Sequence, residues 1–227
     1  MKNINYLKIL FLTFITLSII TSCGRKENNK YENTYKDNFS SESFSNWQPN
    51  IPENWEILNE DGTGILHLIK AGAFGEIRKP TSYAILNSID ATDFELTVEI
   101  KCLADTDLVG RDLNIIFGFQ DSVHFYYAHI CNDNARVHNI IGIVNGKDRE
   151  PITKPLNDNS KIKLTDYNWH KVKLTRDISS GKIELFVDSL LIHSSIDKSL
   201  NHGKLGLGSF DDFGMFRNFE LRYNIAN

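Results

Sequence analysis

The sequence predicts an all-β fold, a two-sheet antiparallel β-sandwich of the jelly-roll kind. Beyond the first two dozen residues, no long stretch keeps the 3.6-residue period of an amphipathic helix. Instead, short segments alternate apolar and polar side chains, and turn-forming dipeptides separate them. Hydrophobic residues make up 41% of the chain and charged residues 24%, which is enough apolar material for a packed core and argues against wholesale disorder. Many antiparallel strands in 227 residues imply two packed sheets. There is no repeat at solenoid or propeller spacing.

The N-terminal segment comes first. Met1 to Lys8 carries two lysines and no acid, Ile9 to Ile20 is an apolar run, and the small pair Thr21-Ser22 precedes Cys23. This is the outline of an export leader over residues 1–22. The run is shorter than the ~20 residues that a membrane-spanning helix needs. Ile20-Thr21-Ser22-Cys23 resembles a bacterial lipoprotein signal. That resemblance implies cleavage before Cys23, acylation of Cys23 and stable anchoring to a membrane of the bacterial cell envelope. An ordinary secretory leader with an incidental cysteine is the alternative. Residues 24–38 contain no aliphatic side chain, so 23–38 is expected to be the lipidated cysteine and a polar tether, and 39–227 a single β-sandwich domain. The net charge is −4, and losing Lys2 and Lys8 with the leader makes it more acidic, so no basic footprint for nucleic acid exists. Cys102 and Cys131 remain; one disulfide and two buried thiols are both open, and no zinc-type CxxC spacing occurs.

The strands follow. Phe94, Leu96, Val98 and Ile100 alternate with Glu95, Thr97 and Glu99, which describes a strand with one wet face. Similar runs cover 65–69, 113–119, 123–130, 137–144, 171–176, 182–187, 190–193 and 217–223. Asp61-Gly62, Asn145-Gly146, Ser180-Gly181 and Asp211-Asp212 supply the turns between them.

Four segments carry a further resemblance: Trp55 to Gly62, Tyr167 to Leu174, Ile183 to Asp188, and Gly203 to Gly208 continuing through Phe216-Arg217-Asn218. Together they resemble concanavalin A-like sandwiches, and within that superfamily the laminin G-like and the 3-keto-disaccharide hydrolase-like (glycoside hydrolase family 16-like) domains. The resemblance spans about residues 40 to 225 and implies the fold; a shared sandwich does not carry its chemistry with it. The ExDxxE strand signature of family 16 glucanases is absent, and the usual mid-domain Asn-Ser-Gly element is replaced by the run Arg111 to Gly118. Both departures count against transferring a hydrolytic activity, which asks for two carboxylates facing one another across the bond.

The densest polar and aromatic group is Tyr126, Tyr127 and His129, then His138 and Asn139, then Asn145, Asp148 and Arg149. A hairpin that pairs Ile130 with Val137 sets His129 opposite His138 and Tyr127 opposite Ile140. Opposed residues have Cβ atoms ~5 Å apart, close enough to share a divalent metal or grip one ligand. Candidate third ligands are Asp133, Asp148 and His124; the alternative is a pair of hydrogen-bonded or solvated histidines. A slip by one residue separates the two rings onto opposite faces. Of Tyr126 and Tyr127 one faces the core, and the other is expected to offer a sugar its ring face and hydroxyl. Arg149, after the Asn145-Gly146 turn, has the fork geometry for a carboxylate or for sugar hydroxyls, or else pairs with Asp148 or Glu150. The segment from Tyr127 to Arg149 resembles a subgroup of bacterial secreted sandwiches that repeats this Tyr, His, His-Asn, Asn, Arg order.

Other chemistries are less well served. Gly203, Gly206 and Gly208 are not followed by a helix, so they read as strand-edge glycines and not as a phosphate loop. No GxSxG elbow supports a serine hydrolase. The expectation is a membrane-anchored lipoprotein that recognises carbohydrate through Tyr127, His129, His138, Asn139, Asn145 and Arg149. One rival is a metal-assisted glycoside-cleaving enzyme of the 3-keto type, with His129 and His138 on a divalent metal. The other is an adhesion or structural module that binds protein.

Overall fold

The computed structural model describes residues 30–134, 137–154, 156 and 158–225, so the leader and Cys23 lie outside the described residues. The strands are β1 (Asn33–Asp37), β2 (Trp47–Pro49), β3 (Trp55–Glu60), β4 (Thr63–Leu68), β5 (Ser82–Cys102), β6 (Asp112–Asp121), β7 (His124–Cys131), β8 (Ile140–Asn145), β9 (Glu150–Pro151), β10 (His170–Asp177), β11 (Lys182–Val187), β12 (Leu190–Ile196), β13 (Gly203–Ser209) and β14 (Gly214–Ile225). Among the described residues the only helices are short 3₁₀ turns, and no helix is long and apolar enough to cross a membrane.

All pairings are antiparallel, and β5 belongs to two sheets. Its C-terminal half lies between β10 and β14 in a first sheet that runs β12-β11-β10-β5-β14, with β1 and β4 along the far side of β14 and β3 outside β4. Its N-terminal half lies between β2 and β13 in a second sheet that runs β2-β5-β13-β6-β7-β8-β9. The sandwich predicted from the sequence is therefore present. The inward faces meet in one core, where Leu96, Val98 and Ile100 of the first sheet join Leu113, Ile115, Phe117, Tyr126, Ala128 and Ile130 of the second. Phe117 and Tyr126 are cross-strand partners with rings stacked at 5.1 Å.

The second sheet is apolar on its outer face too. Tyr83, Ile85, Ile116, Phe125, Tyr127, Ile140, Val144 and Phe210 form a separate buried cluster there. This is why β6, β7 and β8 read as nearly unbroken apolar runs while β10 and the second half of β5 alternate.

Two expectations need correction. Residues 33–37, inside the stretch read as tether, form β1, which pairs with β14. Asp37 secures it: the buried carboxylate accepts from Tyr35 Oη at 2.8 Å, Phe39 N at 2.7 Å, Ser43 Oγ at 2.6 Å and Trp47 Nε1 at 2.9 Å. A polar segment can thus be ordered by pairing and one buried acid, neither of which composition registers. The β7–β8 register is also displaced by two residues: His129 faces Ile140 and Tyr127 faces Gly142. The residues suit this register: glycine at 142 leaves room for the Tyr127 hydroxyl, where a Cβ would collide, and Asn139, at φ 48°, leaves the strand conformation just before Ile140.

Candidate functional site

The outer face of the second sheet holds most of the residues singled out from the sequence. β6 places Asp112, Asn114 and Ile116 on it, β7 places Phe125, Tyr127 and His129, and β8 places Ile140, Gly142 and Val144. Asp112 organises its upper part. Fully buried, its carboxylate accepts from Asn114 Nδ2 at 2.8 Å, Ser209 Oγ at 3.0 Å, Phe210 N at 3.0 Å and Asp211 N at 3.3 Å. His129 Nε2 lies 3.2 Å from Asp112 Oδ2, and its Nδ1 is 3.2 Å from the Val137 carbonyl. Burial pushes the Asp112 carboxyl up, but the adjacent His129 and the donors outweigh it and hold the group below its ordinary value. The Asp112 N–H donates to Asp212 Oδ2 at 2.8 Å. Burial and the nearby Asp112 charge push the Asp212 carboxyl up to about 6.

His138 stands just outside the strands. Its ring meets that of His129 edge-on, at 5.7 Å between centroids and 90° between planes, so the two histidines are neighbours despite the changed register. His138 Nδ1 is 2.8 Å from Asp133 Oδ1. Ligand atoms of Cys131, Asp133 and His138 lie within 4.8 Å of one another, whereas His129 is turned toward Asp112. Of the other acids and histidines considered as ligands, Asp148 accepts from the Arg78 N–H and His124 pairs with Asp121 across the turn that opens β7. Cys102 and Cys131 are both free, buried thiols. Burial pushes Cys102 up to about 11.

Arg149 closes over the middle of the face. Its guanidinium carbon sits 4.2 Å above the Phe210 ring, and the Arg149 backbone N–H donates to the Arg78 carbonyl at 3.1 Å. Arg78 in turn lies 3.4 Å from the Phe74 ring centroid and 5.5 Å from that of Phe210, and forms an ion pair with Asp211 at 2.9 Å. Beneath this cover Tyr127, which packs edge-on against Phe210 at 5.3 Å, is fully buried. Among the described residues, Tyr127 Oη, Asn114 Oδ1 and Arg149 Nη1 find no hydrogen-bond partner. Burial raises the Tyr127 phenol and lowers the Arg149 guanidinium, and each partly offsets the shift of the other. Asn139 is drawn the other way: its side-chain amide donates to Asn134 Oδ1 and to the Lys161 carbonyl, both at 3.3 Å, and its backbone carbonyl accepts from His193. Asn145, exposed and paired with His124, ends β8 away from His129. The structure therefore brings Tyr127, His129, His138 and Arg149 together and leaves Asn139 and Asn145 at the margins.

Lower on the same face the cover stops, and a groove of about 340 Å³ opens between Gln48, Tyr83, Asn87, Phe119, Asp121 and Lys204. Tyr83 and Phe119 form its aromatic floor and rest on the buried Phe125, with centroids 5.7 to 6.4 Å apart. Lys204 donates to Asn87 Oδ1 on the rim. Strict alternation would send Phe119 into the core with Phe117. A bulge at Gly118, φ 59°, breaks the ladder between Phe117 and Asp121 and re-aims Phe119 outward. Gly203 makes the bulge possible, since a Cβ there would collide with the Gly118 backbone. The visible signal was a glycine inside an apolar strand followed by an aromatic residue.

No family model and no curated protein matches this sequence. Its fold is shared with many solved structures. The carbohydrate-binding module CBM66 from Bacillus subtilis aligns with a TM-score of 0.53 at 16% identity, covering 78% of this chain and 95% of the module. A putative glycosyl hydrolase from Parabacteroides distasonis gives 0.56 at 15% identity over 85% of this chain and 100% of that one. Peanut lectin with a 9mer peptide gives 0.55 at 10% identity over 86% and 98%. At these identities the likeness concerns the architecture alone: the chain has a lectin-like jelly-roll fold.

Proposed function

We propose that the chain is a carbohydrate-recognition module whose binding surface is the outer face of the second sheet, centred on the open groove floored by Tyr83 and Phe119. The observation that carries this reading is a groove in which the half-buried Phe119 ring, backed by the nearly buried Tyr83, lies beside amide, carboxylate and ammonium groups of Gln48, Asn87, Asp121 and Lys204. A sugar ring is apolar on its C–H face and hydroxylated around its edge, so it needs such a floor and such a rim. The aromatic contact is worth roughly 0.5–1.5 kcal/mol, and each well-formed hydrogen bond about as much. Ordering costs take back part of this sum. The lectin and carbohydrate-module architecture of the solved structures supports the same ligand class. Tyr127 and His129 lie farther along the same face, buried beneath Phe210 and Arg149 and outside the groove lining. The lipoprotein-like segment ending at Cys23 supports placing this module on a membrane of the bacterial cell envelope.

Incubating the protein with a panel of oligosaccharides and 3-keto-glycosides, followed by proton NMR, tests the reading. Line broadening without new product signals is the expected result. Product signals would replace recognition with glycoside cleavage, and unchanged lines across the panel would overturn the ligand class in favour of a protein partner.

A further inference from the structure

We propose that the connection leaving β7 binds a divalent transition metal of the zinc class through Cys131, Asp133 and His138. One ligand atom from each residue lies within 4.8 Å of the other two, and among the described residues this is the one group of histidine, cysteine and acidic side chains that converges so closely. The donor set selects the metal. Sulfur, imidazole nitrogen and carboxylate oxygen are the three donors zinc takes, whereas calcium and magnesium ask for oxygen shells. Three protein ligands leave a fourth position for water.

The local structure suits the assignment. Cys131 is the last residue of β7, so strand pairing with Asp112 fixes the direction of its side chain. The thiol is wholly buried, while the side chains of Asp133 and His138 are 22% and 28% exposed, which leaves an entry path on one side and protein on the other. Asp133 and His138 already face one another at 2.8 Å. Gly110, at φ 84°, lies against the histidine; a Cβ there would sit 3.0 Å from His138 Cε1. On binding, the sulfur exchanges its proton for the metal and that proton leaves to solvent, so uptake releases acid and weakens as pH falls. The bound metal would tie the start of the β7–β8 connection to its end and hold His138 against His129. The proposal does not depend on the sugar reading.

Cobalt titration tests it. The full chain carrying Cys23→Ser, so that Cys102 and Cys131 are the only thiols, is purified in detergent without a histidine tag, reduced, freed of metal and titrated with Co²⁺. A thiolate-to-cobalt charge-transfer band with tetrahedral visible bands is expected, as is a higher thermal midpoint with Zn²⁺. Cys131→Ser removes the charge-transfer band, Cys102→Ser keeps it, and His138→Gln, at a partly exposed position, weakens metal affinity by at least about tenfold. Circular dichroism of each variant confirms folding, and the His138→Gln affinity decides the matter if Cys131→Ser does not fold. Absence of the band, its persistence in Cys131→Ser, or unchanged affinity in a folded His138→Gln overturns the proposal.

Discussion

The outer faces of the two sheets differ in a way that separates solvated surface from candidate binding surface. On the first sheet, charges answer one another across strands: Arg217 pairs with Glu99 at 2.6 Å, Lys36 with Glu220 at 2.9 Å, and Arg222 with Glu95. Its groove, about 460 Å³, is the larger of the two, yet it is walled by Glu95, Lys171, Lys173, Glu220 and Arg222, and its half-buried aromatic ring, Phe186, is already met by Lys173 at 4.3 Å. On the second sheet the outer face is apolar and half roofed, by Phe210, Arg149 and Arg78, and where the roof ends the half-buried Phe119 ring borders an open groove. Size therefore ranks the grooves one way and chemistry the other. Chemistry decides, because the first sheet's groove is walled mostly by charged side chains, whereas a neutral polyol gains most from an apolar ring face beside uncharged hydrogen-bonding groups.

The largest expected effect lies between the sheets. Phe117→Ala removes the stacked partner of Tyr126 and should lower unfolding free energy by about 3–5 kcal/mol in urea titration. A loss under about 1 kcal/mol would mean that the sheets do not share this core. Next comes the buried hub of the second sheet. Asp112→Ala strands His129, Ser209 and the 210–211 amides and is expected to cost about 3–5 kcal/mol at neutral pH. Because the Asp112 carboxyl is held below its ordinary value, its stabilisation is present above the unfolded carboxylate pKa, near 4, and disappears as pH falls through the folded value.

Asp212 runs opposite. With its carboxyl raised to about 6, the folded state binds the extra proton between pH values of about 4 and 6, so stability attributable to this group falls as pH rises across that window. Asp212→Asn should flatten that segment of the stability–pH curve, and an unchanged slope would refute the assignment. On the open half of the face, Phe119→Ala should weaken sugar binding about fivefold or more, with little loss of stability because the ring is only half-buried. Smallest of all, Arg222→Ala on the first sheet should shift stability by less than about 1 kcal/mol, as suits a partly exposed ion pair.

The same contrast explains what was legible in the chain. Alternation in Phe94 to Ile100 and the unbroken runs of β6 to β8 are direct images of one wet face and of two dry ones, so the sandwich and most strand positions could be read. The neighbourhood of Tyr127, His129, His138 and Arg149 was visible because the β7–β8 connection is local in sequence, and a two-residue displacement preserves which face each strand residue occupies. The groove was not visible. Its walls come from β2, β5, β6 and β13, which are distant in sequence, and its floor depends on one bulge at Gly118 that reverses the parity of Phe119. The part of Cys131 was hidden for a related reason: with the hairpin register set two residues off, His129 and not Cys131 stood as the partner of His138.

The most direct test of the central claim is a proton NMR titration of the binding oligosaccharide against the unaltered protein, Phe119→Ala and Lys173→Ala, with folding of each confirmed by its melting temperature. Recognition on the second sheet predicts that ligand line broadening is lost or much reduced in Phe119→Ala and retained in Lys173→Ala. Broadening that survives in Phe119→Ala but fails in Lys173→Ala would contradict the claim and move the site to the charged face of the first sheet.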